Sequence, residues 1–211
     1  MQSIGHEWTI NEMGKEQEKD QKKSAIQDDI LLATLQLFAE KGYFNTSLTD
    51  IQERSGLKST GAIYQHYKTK QLIAAALYNK ILDSLSISID DIRRRNKKPV
   101  DQLREIVGLF FSLTDQAPEI MRLLLVLQIR EFLPEEKPLL ETAALQKIYK
   151  ILQAGIRTGE VRAIDHQLAY AQFFGIIFQT IRLILAGMLE KQAEAYQSET
   201  WTAAWGAIAK K

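Results

Sequence analysis

The stretch Asn45–Leu72, NTSLTDIQERSGLKSTGAIYQHYKTKQL, decides how this chain folds. Ser47 with Asp50 three residues on marks a helix amino cap, Ile51 supplies an apolar face and Gly56 a stop. A second short helix starts at Ser59 with Ile63 and Tyr67 on one face, and Thr69 caps another that runs through Leu72, Ala76, Leu77 and Ile81. Upstream, from Ala25, the residues Ile26, Ile30, Ala33, Leu37 and Phe38 follow helical spacing, and Gly42 sits at the carboxyl cap. A long helix followed by two short ones joined at SGLK is a helix-turn-helix pattern.

From Ser55 to Leu72 the chain holds a Ser/Thr pair, two tyrosines, a histidine and three lysines, and no carboxylate. A catalytic loop and a nucleic-acid reading helix are the two candidates for such a composition. The local charge favours the second. Between Arg54 and Leu82 stand Arg54, Lys58, Lys68, Lys70 and Lys80 with no Asp or Glu, within a protein whose net charge is only +1. Catalytic signatures are missing: there is no GxxxxGK[ST], GxGxxG or GxSxG motif. His6, His66 and His166 are widely spaced without HExxH or cysteine partners, so neither a metal nor a cofactor is expected, and no catalytic residue. Glu131, Glu135 and Glu136 around Pro134 read as exposed charge, and Asp165–His166 as a helix cap followed by a surface histidine.

A helix entering the major groove needs small residues near its start, and Thr60, Gly61 and Ala62 supply them. Gly61 and Gln65 share one face, directed to DNA, while Ile63 and Tyr67 share the core face. Gln65 can pair bidentately with adenine. Tyr64, His66, Lys68 and Lys70 suit phosphate oxygens, and the Ser59 hydroxyl can serve its own helix's amides or a phosphate.

The rest of the 211 residues read as almost entirely helical, since prolines are few and no alternating β-branched run occurs. Residues 1–23 are expected to form a flexible charged arm without the apolar core of a secretion signal. No apolar run approaches the roughly 20 residues of a membrane helix, so a cytoplasmic protein without a membrane partner is expected. RRRNKKP, Arg93–Pro99, reads as a solvated face or linker; a helix begins near Pro99, and the proline-bracketed PEIMRLLLVLQIREFLP follows. Long helices are expected over about 138–158 and 165–189, with a short closing helix in SETWTAAWGAIAK.

The segment FAEKGYFNTSLTDIQERSGLKSTGAIYQHYKTKQLI resembles the amino-terminal domain of TetR-family transcriptional regulators, over about residues 24–72. The resemblance implies an all-α fold: a helix-turn-helix DNA-binding domain at 24–72, a linking helix to about 84, and an effector-binding, dimerising helical bundle over 85–211. It implies phosphate contacts from Thr46 or Ser47, Ser59, Tyr64, His66 and Lys70, with Thr60, Gly61 and Gln65 nearest the bases. Lys58 departs from the pattern: it lengthens the turn between Leu57 and Ser59 by one residue and adds a possible DNA contact.

The expected function is a dimeric, ligand-responsive DNA-binding regulator, most simply a repressor on a palindromic operator. The resemblance places the dimer seam in the last two long helices, about 138–158 and 165–189; the second is apolar on two faces, Leu168, Ala171, Phe174, Ile177, Ile181 and Leu185, then Phe173, Ile176 and Leu183, which either a dimer or burial within the monomer would cover. Phe110, Phe111, Met121, Leu125, Gln128, Tyr149, Phe174 and Gln179 are the candidate pocket residues, and few charges on the apolar faces favour a small apolar effector. A helical small-molecule-binding protein of the same fold without a DNA role is the alternative, and a regulator answering to a protein partner is a third.

Overall fold

A computed structural model describes residues 4–211, with side chains from residue 21 onward. The helices are α1 (Ile4–Lys41), α2 (Leu48–Arg54), α3 (Thr60–Tyr64), α4 (Lys70–Arg95), α5 (Pro99–Gln116), α6 (Pro118–Leu125), α7 (Ile129–Phe132), α8 (Ala143–Thr158), α9 (His166–Leu185) and α10 (Glu194–Ile208). Among the described residues there is no strand, only an isolated bridge between Val161 and Ala209. The chain divides within α4 into units Met1–Ala76 and Leu77–Lys211. α1 starts upstream of the expected Ala25, and the arm expected over residues 1–23 lies mainly outside the described side chains.

In the amino-terminal unit, Ile30, Leu37 and Phe38 of α1 form a core with Ile51 of α2, Ile63 of α3 and Ile73 of α4, all at most 4 % exposed. Burying one such side chain is worth about 1.5–3 kcal/mol. That matters most for α3, whose five residues are too few to stay helical alone. Thr69 accepts a hydrogen bond from the Leu72 amide at 3.1 Å, the cap that starts α4.

The carboxyl-terminal unit is a bundle in which α5, α8, α9 and α10 share one core. Leu103, Ile106, Phe110 and Phe111 meet Ile148, Leu152, Phe173, Phe174, Ile177 and Ile181, with Trp201 and Ala204 of α10. Gly155 permits a close crossing here, because a Cβ on it would lie 2.8 Å from Val161 Cγ2. The RRRNKKP arginines are paired and solvated, Arg93 to Asp90, Arg94 to Asp91, and Arg95 to Asp91 and Glu105, at 2.8–3.2 Å.

Several boundaries differ from expectation for local reasons. The proline-bracketed segment is two helices, since α6 ends at Leu125 and α7 is a single turn. The helix expected from 138 starts at Ala143: Leu139–Glu141 is a 3₁₀ turn, and Thr142 is extended with its hydroxyl donating to Leu139 O at 2.7 Å. α9 starts at the expected Asp165 cap but stops at Leu185, where Arg122 donates to the terminal carbonyl at 2.7 Å. α10 begins earlier than expected because the Asp115 carboxylate accepts from the Ala193 and Glu194 amides at 2.7 and 3.0 Å. Contrary to expectation, α4 and α9 are each long and apolar enough to pass as membrane spans. Ile73, Leu77, Ile81 and Ile89, and Phe173, Ile177 and Ile181, are nonetheless buried against neighbouring helices, the pattern of core helices.

Candidate functional site

The α2–turn–α3 segment is fixed by short-range polar contacts. Ser47 and Asp50 form a reciprocal capping box: the Asp50 amide donates to Ser47 Oγ at 3.1 Å, and the Ser47 amide donates to Asp50 Oδ2 at 2.7 Å. Lys41 adds an ion pair to Asp50 at 2.9 Å. The Ser47 backbone amide, then Lys41, hold the Asp50 carboxyl well below its ordinary value of 3.8. A depressed folded-state value means this stabilisation is present above about pH 4 and is lost as pH falls. Asp50→Asn is therefore expected to lower the melting temperature at pH 7 by a few degrees and still to lower it, by a smaller amount, at pH 3, because the folded-state carboxyl remains ionised there; circular dichroism melts at the two pH values measure it. Gly56, at φ 70°, makes the turn, and the Gln52 amide group closes it on Leu57 O.

α3 then presents two faces. Ile63 is fully buried, whereas Gly61, Tyr64 and Gln65 are exposed, Tyr64 by 54 %. Ser59 precedes the helix in an extended conformation, and its hydroxyl makes no cap bond, so the first-turn amides of α3 are not closed off by their own cap residue. Lys58 and Lys68 are exposed on either side of α3, and Thr60 is half-buried. Tyr67 is also half-buried, its phenol pushed up by burial and then by Asp28.

Three expected contact residues are placed otherwise. Thr46 is 2 % exposed and donates its hydroxyl to Gly42 O at 2.8 Å, tying the loop rather than facing outward. Lys70 points inward, with Nζ donating to Tyr43 O and Thr46 O at 2.7 Å each and lying 4.1 Å from the Tyr43 ring centroid. His66 is half-buried, and its Nδ1 is buried without a hydrogen-bond partner. Arg54 is likewise engaged, by a two-pronged pair to Glu40 at 2.8 and 2.9 Å. The basic character of this surface is carried by Lys58 and Lys68.

The carboxyl-terminal unit holds an open cavity of about 1050 Å³ between the 124–128 segment, the 139–141 turn, α8 and α9. Leu125, Gln128, Tyr149 and Phe174 of the expected set line it. Phe110, Phe111 and Met121 are instead packed in the core, and Gln179 is exposed and outside the lining. Sequence reasoning missed most of the wall, which α9 builds from one row at intervals of four: His166, Tyr170, Phe174, Phe178 and Arg182. α8 contributes Gln146, Tyr149, Lys150 and Gln153. Tyr149 stacks on Tyr170 at 4.7 Å, Tyr170 meets Phe174 at 4.9 Å, and Phe174 meets Phe178 at 5.2 Å. The Arg182 guanidinium is braced by donating from Nε to Leu125 O at 2.9 Å. The wall is thus a strip of aromatic rings edged by amides, by the cations Lys150 and Arg182 and by the Glu141 carboxylate.

Residues 30–77 match the family described as bacterial regulatory proteins, tetR family. An HTH-type transcriptional regulator, SAR0097 of Staphylococcus aureus (strain MRSA252), is 29 % identical over 107 residues, covering 49 % of this chain and 56 % of that protein. The chain spans about half the length of the curated relatives it matches. A TetR-family transcription regulator from Marinobacter aquaeolei VT8 has the same fold, with a TM-score of 0.73 at 21 % identity over 91 % of this chain and all of that one. Bacillus subtilis FadR, solved in complex with stearoyl-CoA, superposes with a TM-score of 0.73 at 21 % identity over 85 % of this chain and 98 % of that one. Residues 30–77, with their capped helix-turn-helix, thus match the amino-terminal domain of the tetR family, and the all-helical two-unit fold is the one that these TetR-family structures share.

Proposed function

We propose that this chain is a ligand-responsive DNA-binding regulator that binds an inverted-repeat operator as a homodimer, most simply as a repressor released by a small molecule. The observation that carries the reading is the outward face of α3, where Gly61 and Gln65 lie between the exposed Tyr64, Lys58 and Lys68 and no acidic side chain intervenes from Ser55 to Leu82. Two such helices related by a two-fold axis would enter successive major grooves roughly 34–36 Å apart. Ser47, Ser59, Tyr64, Lys58 and Lys68 would hold phosphates, and Thr60, Gly61 and Gln65 would face the bases. Members of the family are in general not enzymes.

The dimer seam follows from what each long helix leaves uncovered. The apolar residues Ala144, Leu145, Ile148, Ile151 and Leu152 of α8 are buried within their own unit, and its outer face carries Gln146, Lys150 and Arg157. α9 still exposes Leu168 by 49 % and leaves Ile176 and Leu183 half-exposed, and α10 exposes Ala195, Ala203 and Gly206. α9 with α10, rather than with α8, forms the seam in this reading. The ligand belongs in the aromatic cavity. Support comes from FadR, solved with stearoyl-CoA, a molecule with a long apolar chain on a polar head; the cavity here joins an aromatic wall to amides, Lys150 and Arg182.

The test is selection of bound duplexes from a random pool, followed by titration at several salt concentrations and sedimentation. The expected result is an inverted repeat bound by two chains, with affinity falling steeply as salt rises. Recovery of no enriched sequence, or binding by one chain alone, would defeat the reading.

A further inference from the structure

Tyr170 is the one cavity-lining tyrosine whose hydroxyl has neither solvent nor a protein partner among the described residues. The residue is only 6 % exposed. Burial, and secondarily Tyr149, pushes its phenol above the ordinary range, so the group is a neutral donor at any physiological pH. Leaving a buried hydroxyl unpaired is destabilising, and a phenylalanine would fill the same space without that cost.

Two aromatic rings pack against Tyr170. The ring of Tyr149 lies over Tyr170 with planes 17° apart, and Tyr149 itself is half-buried, with His166 edge-on at 6.0 Å. A side chain of this kind on the rim can turn aside, whereas Tyr170 is fixed between Tyr149 and Phe174. Neither ring against Tyr170 carries a formal charge. The Arg182 site lies three turns further along α9, about 18 Å away by the helical rise. The partner matched to Tyr170 is therefore an uncharged acceptor.

We infer that Tyr170 is a specificity-determining residue whose hydroxyl donates a hydrogen bond to a carbonyl oxygen of an otherwise apolar ligand, admitted when the Tyr149 ring swings aside. This rests on the cavity being the effector site. A ketone, ester, thioester or amide all present the required oxygen. A carboxylate instead draws on Lys150 or Arg182.

The test uses the full chain and displacement of N-phenyl-1-naphthylamine, an apolar dye without a carbonyl, by 2-undecanone and by undecanoate. The expected result is that Tyr170→Phe weakens 2-undecanone about tenfold, the scale of one well-made hydrogen bond, while undecanoate and the carbonyl-free dye N-phenyl-1-naphthylamine change less than about twofold. Tyr149→Ala is expected to speed 2-undecanone association, because entry no longer waits for a ring to move. Equal loss of both probes in Tyr170→Phe would mark a packing effect and overturn the assignment, as would unchanged ketone binding. An unchanged association rate in Tyr149→Ala would remove the gating step. Failure of the wild-type chain to take up either dye or ketone would sink the cavity reading itself; dye uptake without ketone discrimination would sink the role of Tyr170 alone.

Discussion

Lys70→Met is expected to destabilise the amino-terminal unit by about 2–3 kcal/mol while leaving its surface charge pattern around α3 almost unchanged. The Lys70 ammonium bonds to Tyr43 O and Thr46 O, both at 2.7 Å, in the loop that carries α1 into α2. It also lies over the Tyr43 ring, which itself meets Phe38 of the core at 5.4 Å. Burial lowers its affinity for the proton, and Asp50 partly offsets that. Methionine keeps the apolar stem but strands two loop carbonyls, and hydrogen bonds to a charged donor are worth about 1.5–3 kcal/mol each, with losses at one site not additive. Hydrogen exchange of the α2 and α3 amides reads the effect locally, and α2 protection should fall with it, because the loop presents the Ser47 cap. If Lys70 served a phosphate instead, the variant would keep its stability and lose DNA affinity with a reduced salt slope. The two outcomes separate a structural lysine from a contact lysine.

Why the sequence reads Lys70 as a contact and the structure as a brace shows where sequence reasoning stops. The caps Ser47, Thr69 and Asp165 are legible because capping acts over two or three residues of chain. The faces of α3 are legible for the same reason, since Ile63 and Gln65 are separated by the helical angle alone. Lys70 and Thr46 differ: their partners are backbone carbonyls 24–27 residues away for Lys70, and for Thr46 burial depends on packing that no local spacing encodes. Lysine in a basic segment reads as surface unless the tertiary fold says otherwise.

The same limit applies to the cavity. α9 is apolar on more than one side, so its residues give no unique stripe. The row Leu168, Ala171, Phe174, Ile177, Ile181 and Leu185 mixes buried residues with the exposed Leu168 and Ala171. A second row was equally present: 166, 170, 174, 178 and 182 repeat at four, mixing rings with a histidine and an arginine. That mixture is the signal of a wall facing neither dry core nor bulk water. Phe110 and Phe111 could not be told from wall residues by composition; α5 is buried between its neighbours, and only packing decides that.

Gly61→Ala is expected to move stability and DNA binding in opposite directions. The nearest atom to a new Cβ is Ser59 Oγ at 3.5 Å, an ordinary contact, and Gly61 lies inside α3 with no positive φ. Alanine there should stabilise the helix by about 0.5–1 kcal/mol. A site that gains from alanine yet holds glycine is explained by what approaches it from outside, and in the proposed complex that is the floor of the major groove. Operator affinity is then expected to fall at least about tenfold in Gly61→Ala, from a methyl group placed between α3 and the base edges. Gln65→Ala supplies the matched control: it leaves room for close approach but removes the amide able to pair with adenine. It should cost about 1–3 kcal/mol at one position of each half-site and relax preference only there. Lys68→Ala should weaken all duplexes alike and lower the salt slope by about 1. Thermal melts with titrations on the selected repeat and its single-base variants distinguish the three. A Gly61→Ala protein that is more stable and binds as tightly as the parent would show that α3 stands off the groove. The longer turn at Lys58 would then be the feature to blame, because it sets the angle at which α3 leaves Leu57.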